Sequence, residues 1–246
     1  MGLRRTGAKL TSARVGRIRA RPSRQRPIRP TVPEGERIDM LSVNAETTAL
    51  IVIDRQDGIL SPEPVPFGRK QVVDRAAQLG RAFADAGCLT VLTATDFADG
   101  YADAPRGEAD EPWALPEKGL PPGFATLVPE IDSLPAAVRI TKRQMSAFFG
   151  TELLRRRRCD TVVICGVATN LGVEATARGA FDLDYHVVIA ADACASVAPG
   201  LHDFAVRNIL PRIARVRETT DILEAIGTPF PVKQPQAAPA RSERMK

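Results

Sequence analysis

Six apolar runs recur along the chain, and stretches of helical spacing separate them. TALIVID (48–54) is continuously apolar and ends in an acid, the pattern of a strand covered on both faces. Residues 69–86 place Val72, Val73, Ala76, Leu79 and Phe83 on one helical face, with Gly87 as the stop. Further strands are predicted at CLTVLTAT (88–95), AVRIT (137–141), DTVVICG (160–166), HVVIAAD (186–192) and RIARV (212–216). Helices are expected over 151–158 with Thr151 as N-cap, over 170–183 capped by Asn170, over 199–209 and over 219–226. Strict alternation with buried strands predicts an α/β protein: a three-layer α/β/α sandwich around a Rossmann-like, six-stranded parallel sheet. Ligands in such sheets bind beyond the strand C-terminal ends. Residues 96–137 are polar, rich in Pro and Gly, and too long for a simple connection, so they are expected to form the lid or rim of a site.

Composition narrows the function classes. With 246 residues, 44% hydrophobic and 26% charged, the chain suits one large domain and excludes a wholly disordered protein. No apolar run approaches the roughly 18 residues that a spanning helix needs, which argues against a membrane protein. At 5% aromatics a base-stacking surface is not expected. Two histidines, His186 and His202, do not suffice for a histidine-built metal site, and no metal or other cofactor is expected. Cys88, Cys159, Cys165 and Cys194 lack C-x-x-C spacing and read as reduced thiols, in keeping with a cytoplasmic location.

The charge is uneven. Residues 1–39 hold eleven Lys or Arg and three acids, net +8 against +5 for the whole chain, so the body is mildly acidic. This stretch is expected to be a disordered basic arm, and three readings of it stay open. It is a charge-only contact for nucleic acid or acidic lipid, or a transit-like presequence, or a stretch outside the mature protein, since Met40 precedes the first folded segment. The domain is expected over 40–228, with a Pro-rich disordered tail over 229–246.

Chemistry concentrates at the strand ends. Asp54 follows the first strand, Lys142 the third, and Gly166-Val-Ala-Thr-Asn-Leu-Gly172 links the fourth to its helix. An ammonium beside a carboxylate favours its charged form, and Asp54 could give or take one proton during a reaction. Either residue alone reads equally as half of an ion pair that closes the sheet.

The segments TALIVIDRQDGIL, RITKRQMSAFFGTELL and DTVVICGVATNLGVEATARGAFDLDYHVVIAADACAS resemble the isochorismatase-like hydrolases, often called cysteine hydrolases, over about residues 46–226. The pattern G-V-x-T-x-x-(C/G)-V-x-x-T-A carries the specificity. The resemblance implies a six-stranded α/β fold, a homo-oligomer and a small-molecule substrate. It assigns Asp54 as catalytic aspartate and Lys142 as catalytic lysine, and puts the nucleophilic cysteine at position 172, where this chain has Gly172. A thioester route needs a thiolate at that helix N-terminus, and glycine supplies none. Glycine there is similar to true isochorismatases, which cleave a vinyl ether with the aspartate as general acid and water completing the hydrolysis. Those enzymes, however, carry a tyrosine where this chain has Ala168 and a histidine near Thr169 or Asn170. The run T-N-x-G-V-E-x-T-A-R resembles a separate branch that also lacks the cysteine.

The resemblance further implies a cis Val167-Ala168 peptide that turns the Ala168 N–H toward substrate, beside the helix start, as an anion cradle. Gln56 is expected either to orient Asp54 or to hold the loop by a hydrogen bond, Phe148 either to wall the pocket or, the favoured reading, to pack in the core, and Asp192 to brace the Gly166–Gly172 turn. The reading is a cofactor-independent hydrolase of a small, anionic metabolite with an enol-ether or amide-type bond. Catalysis is by Asp54 with Lys142 and Gly172, and Gln56, Val167, Ala168 and Phe148 bind substrate. The alternative is an inactive member that binds a ligand or partner. Nucleic acid enters only through the basic arm.

Overall fold

In the computed structural model, residues 41, 43–113, 115–150 and 158–226 are described. The predicted arm, the tail beyond 226 and residues 151–157 of the expected Thr151 helix lie outside them. Six consecutive buried residues, TALIVI, form β1 (Thr48–Ile53). It pairs in parallel with β2 (Leu89–Thr95) on one side and β4 (Thr161–Val167) on the other. The outer strands are β3 (Val138–Lys142), β5 (His186–Ala195) and β6 (Arg215–Arg217), giving one six-stranded sheet in the order β3-β2-β1-β4-β5-β6. Every pairing is parallel, so the continuous apolar runs are explained by helices above and below. The chain order reverses between β1 and β4, and the crevice at that switch point is where such sheets bind ligands.

The helices are α1 (Asp57–Leu60), α2 (Arg69–Asp85), α3 (Pro129–Asp132), α4 (Glu174–Asp182), α5 (Leu201–Phe204) and α6 (Thr219–Ile226). The apolar face of α2 buries Val72, Val73, Ala76, Leu79 and Phe83 against β1, β2 and β5, as its spacing predicts, while α4 packs on β5. No described helix is long and apolar enough to cross a membrane.

Several boundaries differ from expectation. The helix predicted from Asn170 opens with a π-helical turn, Thr169–Val173, and its N-cap is Ala168. Asn170 caps nothing; its Oδ1 accepts a hydrogen bond from Ser196 Oγ at 2.7 Å. β5 runs three residues past the predicted end, through an irregularity in its register with β4 between Ile164 and Gly166. The helix expected over 199–209 is four α residues followed by a π turn, Ala205–Ile209. β6 starts late because Pro211 sits in a 3₁₀ turn over Leu210–Arg212. Asp192 does not brace the Gly166–Gly172 turn. Its Oδ1 accepts from both Thr219 N and Thr219 Oγ1 at 2.7 Å, and its other oxygen pairs with Arg75, so it ties α6 and α2 to the sheet.

Candidate active site

Asp54 leaves β1 with φ 50°, a left-handed conformation that Asp and Asn tolerate better than other side chains. The register Thr95↔Lys142 brings the ends of β2 and β3 level, and the β1–β4 register, Ile53↔Gly166, puts Asp54 beside the turn that follows β4. Lys142 Nζ stands 2.7 Å from Asp54 Oδ2, with side-chain exposures of 2% and 6%. Thr93 Oγ1 donates to Asp54 Oδ1 at 2.8 Å and Thr95 Oγ1 to Oδ2 at 2.9 Å. Lys142 also donates to Thr95 Oγ1 at 3.1 Å and to the Met145 carbonyl at 3.2 Å. Carboxylate and ammonium thus satisfy one another in a nearly dry setting, and the two threonines fix the carboxylate's orientation.

Gly172 completes this group. A Cβ built on it would lie 3.6 Å from Asp54 Oδ2, 3.7 Å from Lys142 Nζ and 3.2 Å from Ile53 Cγ2. Position 172 therefore faces both charged groups, and a small side chain there needs Ile53 to give by a few tenths of an ångström. Gly166 is different: a Cβ there would come within 2.4 Å of Ile53 Cβ, so glycine is what lets β1 and β4 approach. The Val167–Ala168 peptide is cis, as the resemblance implied.

Three of the four thiols are buried away from this role. Cys165 and Cys194 are fully buried within β4 and β5, and burial pushes them up to about 11 and about 12 respectively. Cys88, also buried, is pushed up to about 11. Protonated and enclosed, these thiols are poor nucleophiles.

Some predicted contacts serve elsewhere. Gln56 is fully buried, and its amide is committed to main chain. Oε1 accepts from Thr95 N at 2.6 Å, and Nε2 donates to Thr95 O at 2.9 Å and Phe124 O at 3.0 Å. It braces the rim of β2 against the long loop rather than presenting an amide to a ligand. Phe148 is 9% exposed and packs in the core, with its ring centroid 5.5 Å from that of Tyr185. The Val167 side chain is likewise in the core, which leaves its peptide group as the part able to face the site.

Three features were not anticipated. Thr93 and Thr95 stand two apart on β2, so they share a face, and that period-2 pair of hydroxyls is a signal readable from CLTVLTAT. Arg55 is fully buried and donates to the Ala193 carbonyl, while its Nε and Nη1 have no partner among the described residues. Burial lowers its pKa, and the charge of Asp54 is among the effects that oppose this. Lastly, Thr169 Oγ1 lies 2.8 Å from Nδ1 of buried His202, whose ring meets Phe67 edge-on at 5.6 Å. This buckle, with Ser196 on Asn170, holds the turn that carries Gly172.

Burial lowers the His202 pKa, partly offset by Asp203. The unfolded chain, with its imidazole near the ordinary value of about 6.5, takes up a proton that the folded chain resists. This contribution to stability is therefore lost as pH falls through and below that value. Denaturant titrations at pH 7.5 and 5.5 are expected to show a smaller loss of stability in His202→Asn than in the wild type. Equal losses would place the pH dependence elsewhere.

The fold is thus a doubly wound parallel sheet with a buried acid–ammonium pair at its rim. Residues 48–221 match the model of the isochorismatase domain, and the chain belongs to the isochorismatase family of hydrolases. It is 42% identical over 190 residues to the uncharacterized isochorismatase family protein YecD of Escherichia coli O157:H7, covering 76% of this chain and all of that one. The ureidoacrylate amidohydrolase RutB of Caulobacter vibrioides is 29% identical over 216 residues, 78% of this chain and 96% of its own length. Among solved structures, an isochorismatase family protein from Burkholderia thailandensis superimposes with a TM-score of 0.71 at 33% identity, covering 77% of this chain and 100% of that one.

Proposed function

We propose that this protein hydrolyses an enol-ether or amide-type bond of a small metabolite by acid/base catalysis at Asp54, with no covalent cysteine intermediate. The observation that carries the reading is the Asp54–Lys142 contact of 2.7 Å with the Cβ position of Gly172 facing it. Asp54 transfers the proton, and Lys142 holds the carboxylate in place and balances its charge. Water, entering where relatives keep sulfur, completes the hydrolysis. For an amide-type bond, the main-chain N–H groups around Ala168 and Gly172 stabilise the oxyanion that forms on the attacked carbonyl; for an enol ether, where protonation makes the reacting carbon cationic before water adds, they hold the substrate's own anionic group. The substrate itself is read as anionic; kinship with an amidohydrolase supports the amide-type bond, and the family itself supports the enol ether.

Turnover of a panel of amides, carbamoyl compounds and enol ethers tests this, run before and after treatment with iodoacetamide. The expected result is turnover of at least one class, unchanged by alkylation, because the thiols of Cys88, Cys165 and Cys194 are buried and half-buried Cys159 precedes β4, at the end of the strand opposite the Gly172 turn. Gly172→Cys is expected to be alkylated rapidly at position 172, read by peptide mass spectrometry, and to become sensitive to the reagent. Loss of wild-type activity on alkylation would overturn the cysteine-free route. No turnover across the panel would favour a binding protein instead.

A further inference from the structure

Buried charges are few among the described residues, and Arg55 stands out among them. Asp54 and Lys142 close on each other at 2.7 Å, and Asp192 pairs with Arg75 of α2. Arg55 has no carboxylate partner among the described residues, although its side chain is the largest of the fully buried ones, at 0% exposure. Its position is fixed from two sides. The Arg55 carbonyl accepts the Val128 N–H at 3.0 Å, and Nη2 of its side chain donates to the Ala193 carbonyl in β5. Since β4 lies between β1 and β5 in the sheet, the guanidinium crosses β4 to reach that carbonyl.

What it meets there does not answer its charge. Nε and Nη1 have no acceptor, not even a sulfur. The stretch of β5 that it reaches, Ala193-Cys194-Ala195, brings small side chains and no anion. Cys165 and Cys194 are close enough for a charge on either to be felt at Arg55, but burial keeps both thiols protonated. The oxygens of Asp54 are already engaged by Lys142, Thr93 and Thr95. A guanidinium does not shed its proton in a protein, and a buried charge with no partner is strongly destabilising. Nη2 carries two hydrogens and Ala193 takes one, so one edge of the planar fork stays open with two parallel N–H groups. That is the arrangement in which a guanidinium holds an anion. A water there would accept a hydrogen bond and leave the charge unbalanced.

The geometry points to an internal anion site at Arg55, in which the open edge of the guanidinium holds one small monovalent anion, of which chloride is the representative. A single negative charge balances the single positive one, and full enclosure excludes a bulky organic acid. The site lies beside the Asp54–Lys142 pair and is separate from it, and it stands whether or not the protein is a hydrolase.

Melting of the full chain tests this at pH 7.5 and constant ionic strength, in sodium chloride, sodium bromide and sodium gluconate, whose anion is too large to be enclosed. An anion bound only by the folded chain raises the melting temperature, and at saturation the wild type is expected to melt about 4 °C higher in chloride or bromide than in gluconate. Arg55→Met, which keeps an unbranched apolar stem and removes the charge, is expected to lose this difference and to melt in gluconate no lower than the wild type. Crystals of the wild type grown in bromide are expected to show anomalous scattering on the Arg55 guanidinium, which decides the matter should Arg55→Met fail to fold. Equal melting of the wild type in chloride and gluconate, the same chloride effect in Arg55→Met, or a water without anomalous signal on the guanidinium would each overturn the proposal.

Discussion

Asp54→Asn is expected to lower kcat by roughly 10²–10⁴-fold, the range contributed by a positioned general acid or base. Asparagine is the replacement that isolates this effect. It is nearly the same shape, it accepts hydrogen bonds from Thr93 or Thr95 through its carbonyl, and it tolerates the left-handed φ of 50° that most side chains resist. The circular dichroism spectrum is therefore expected to match that of the wild type. Melting is expected at a lower temperature, because Lys142, 2% exposed in its side chain, loses its counter-charge. Wild-type rates in this variant, on any substrate the enzyme turns over, would remove Asp54 from the mechanism.

The second large effect is on stability. Lys142→Met deletes the ammonium while keeping most of the stem, and leaves a carboxylate buried with only hydroxyl donors. Breaking a buried pair from one side costs about 3–5 kcal/mol, more than the net worth of the pair, because the partner's desolvation goes uncompensated. A double-mutant cycle separates these quantities. Asp54→Asn with Lys142→Met is expected to be more stable than the sum of the single losses by about 1–3 kcal/mol. Urea unfolding of the four proteins reads this directly, and strict additivity would show that the 2.7 Å contact carries no coupling. Activity is expected to fall in both single variants and not to recover in the double one, since stability is regained without a proton donor.

The strands and main helices were legible because their signal is local. A run such as TALIVI states its own burial, and α2 states its buried face through helical spacing. Asp54 and Lys142 were legible for a related reason: in a doubly wound sheet, the residue after a strand stands at the functional rim whatever the remaining details. The π-helical turn at Thr169–Val173 was not, since Asn170 is an equally good N-cap by type, and its partner Ser196 lies just past the end of β5. Gln56 and Phe148 each left two readings open for the same cause. A polar or aromatic side chain near a catalytic acid looks like a ligand contact until its bonds to Thr95 and Phe124, or its packing on Tyr185, are known.

By itself the amino-acid sequence determined the layer architecture and the acid and the ammonium at the rim, because each is a property of a short segment or a single position; that Gly172 stands at the nucleophile's place is what the family resemblance implies. Tertiary structure decided which groups serve the acid: Thr93 and Thr95, some forty residues from Asp54, meet it through parallel register. It also decided that Arg55 turns inward. Hydrogen bonds and charges act over a few ångströms of space, and only the folding of distant segments together sets those distances.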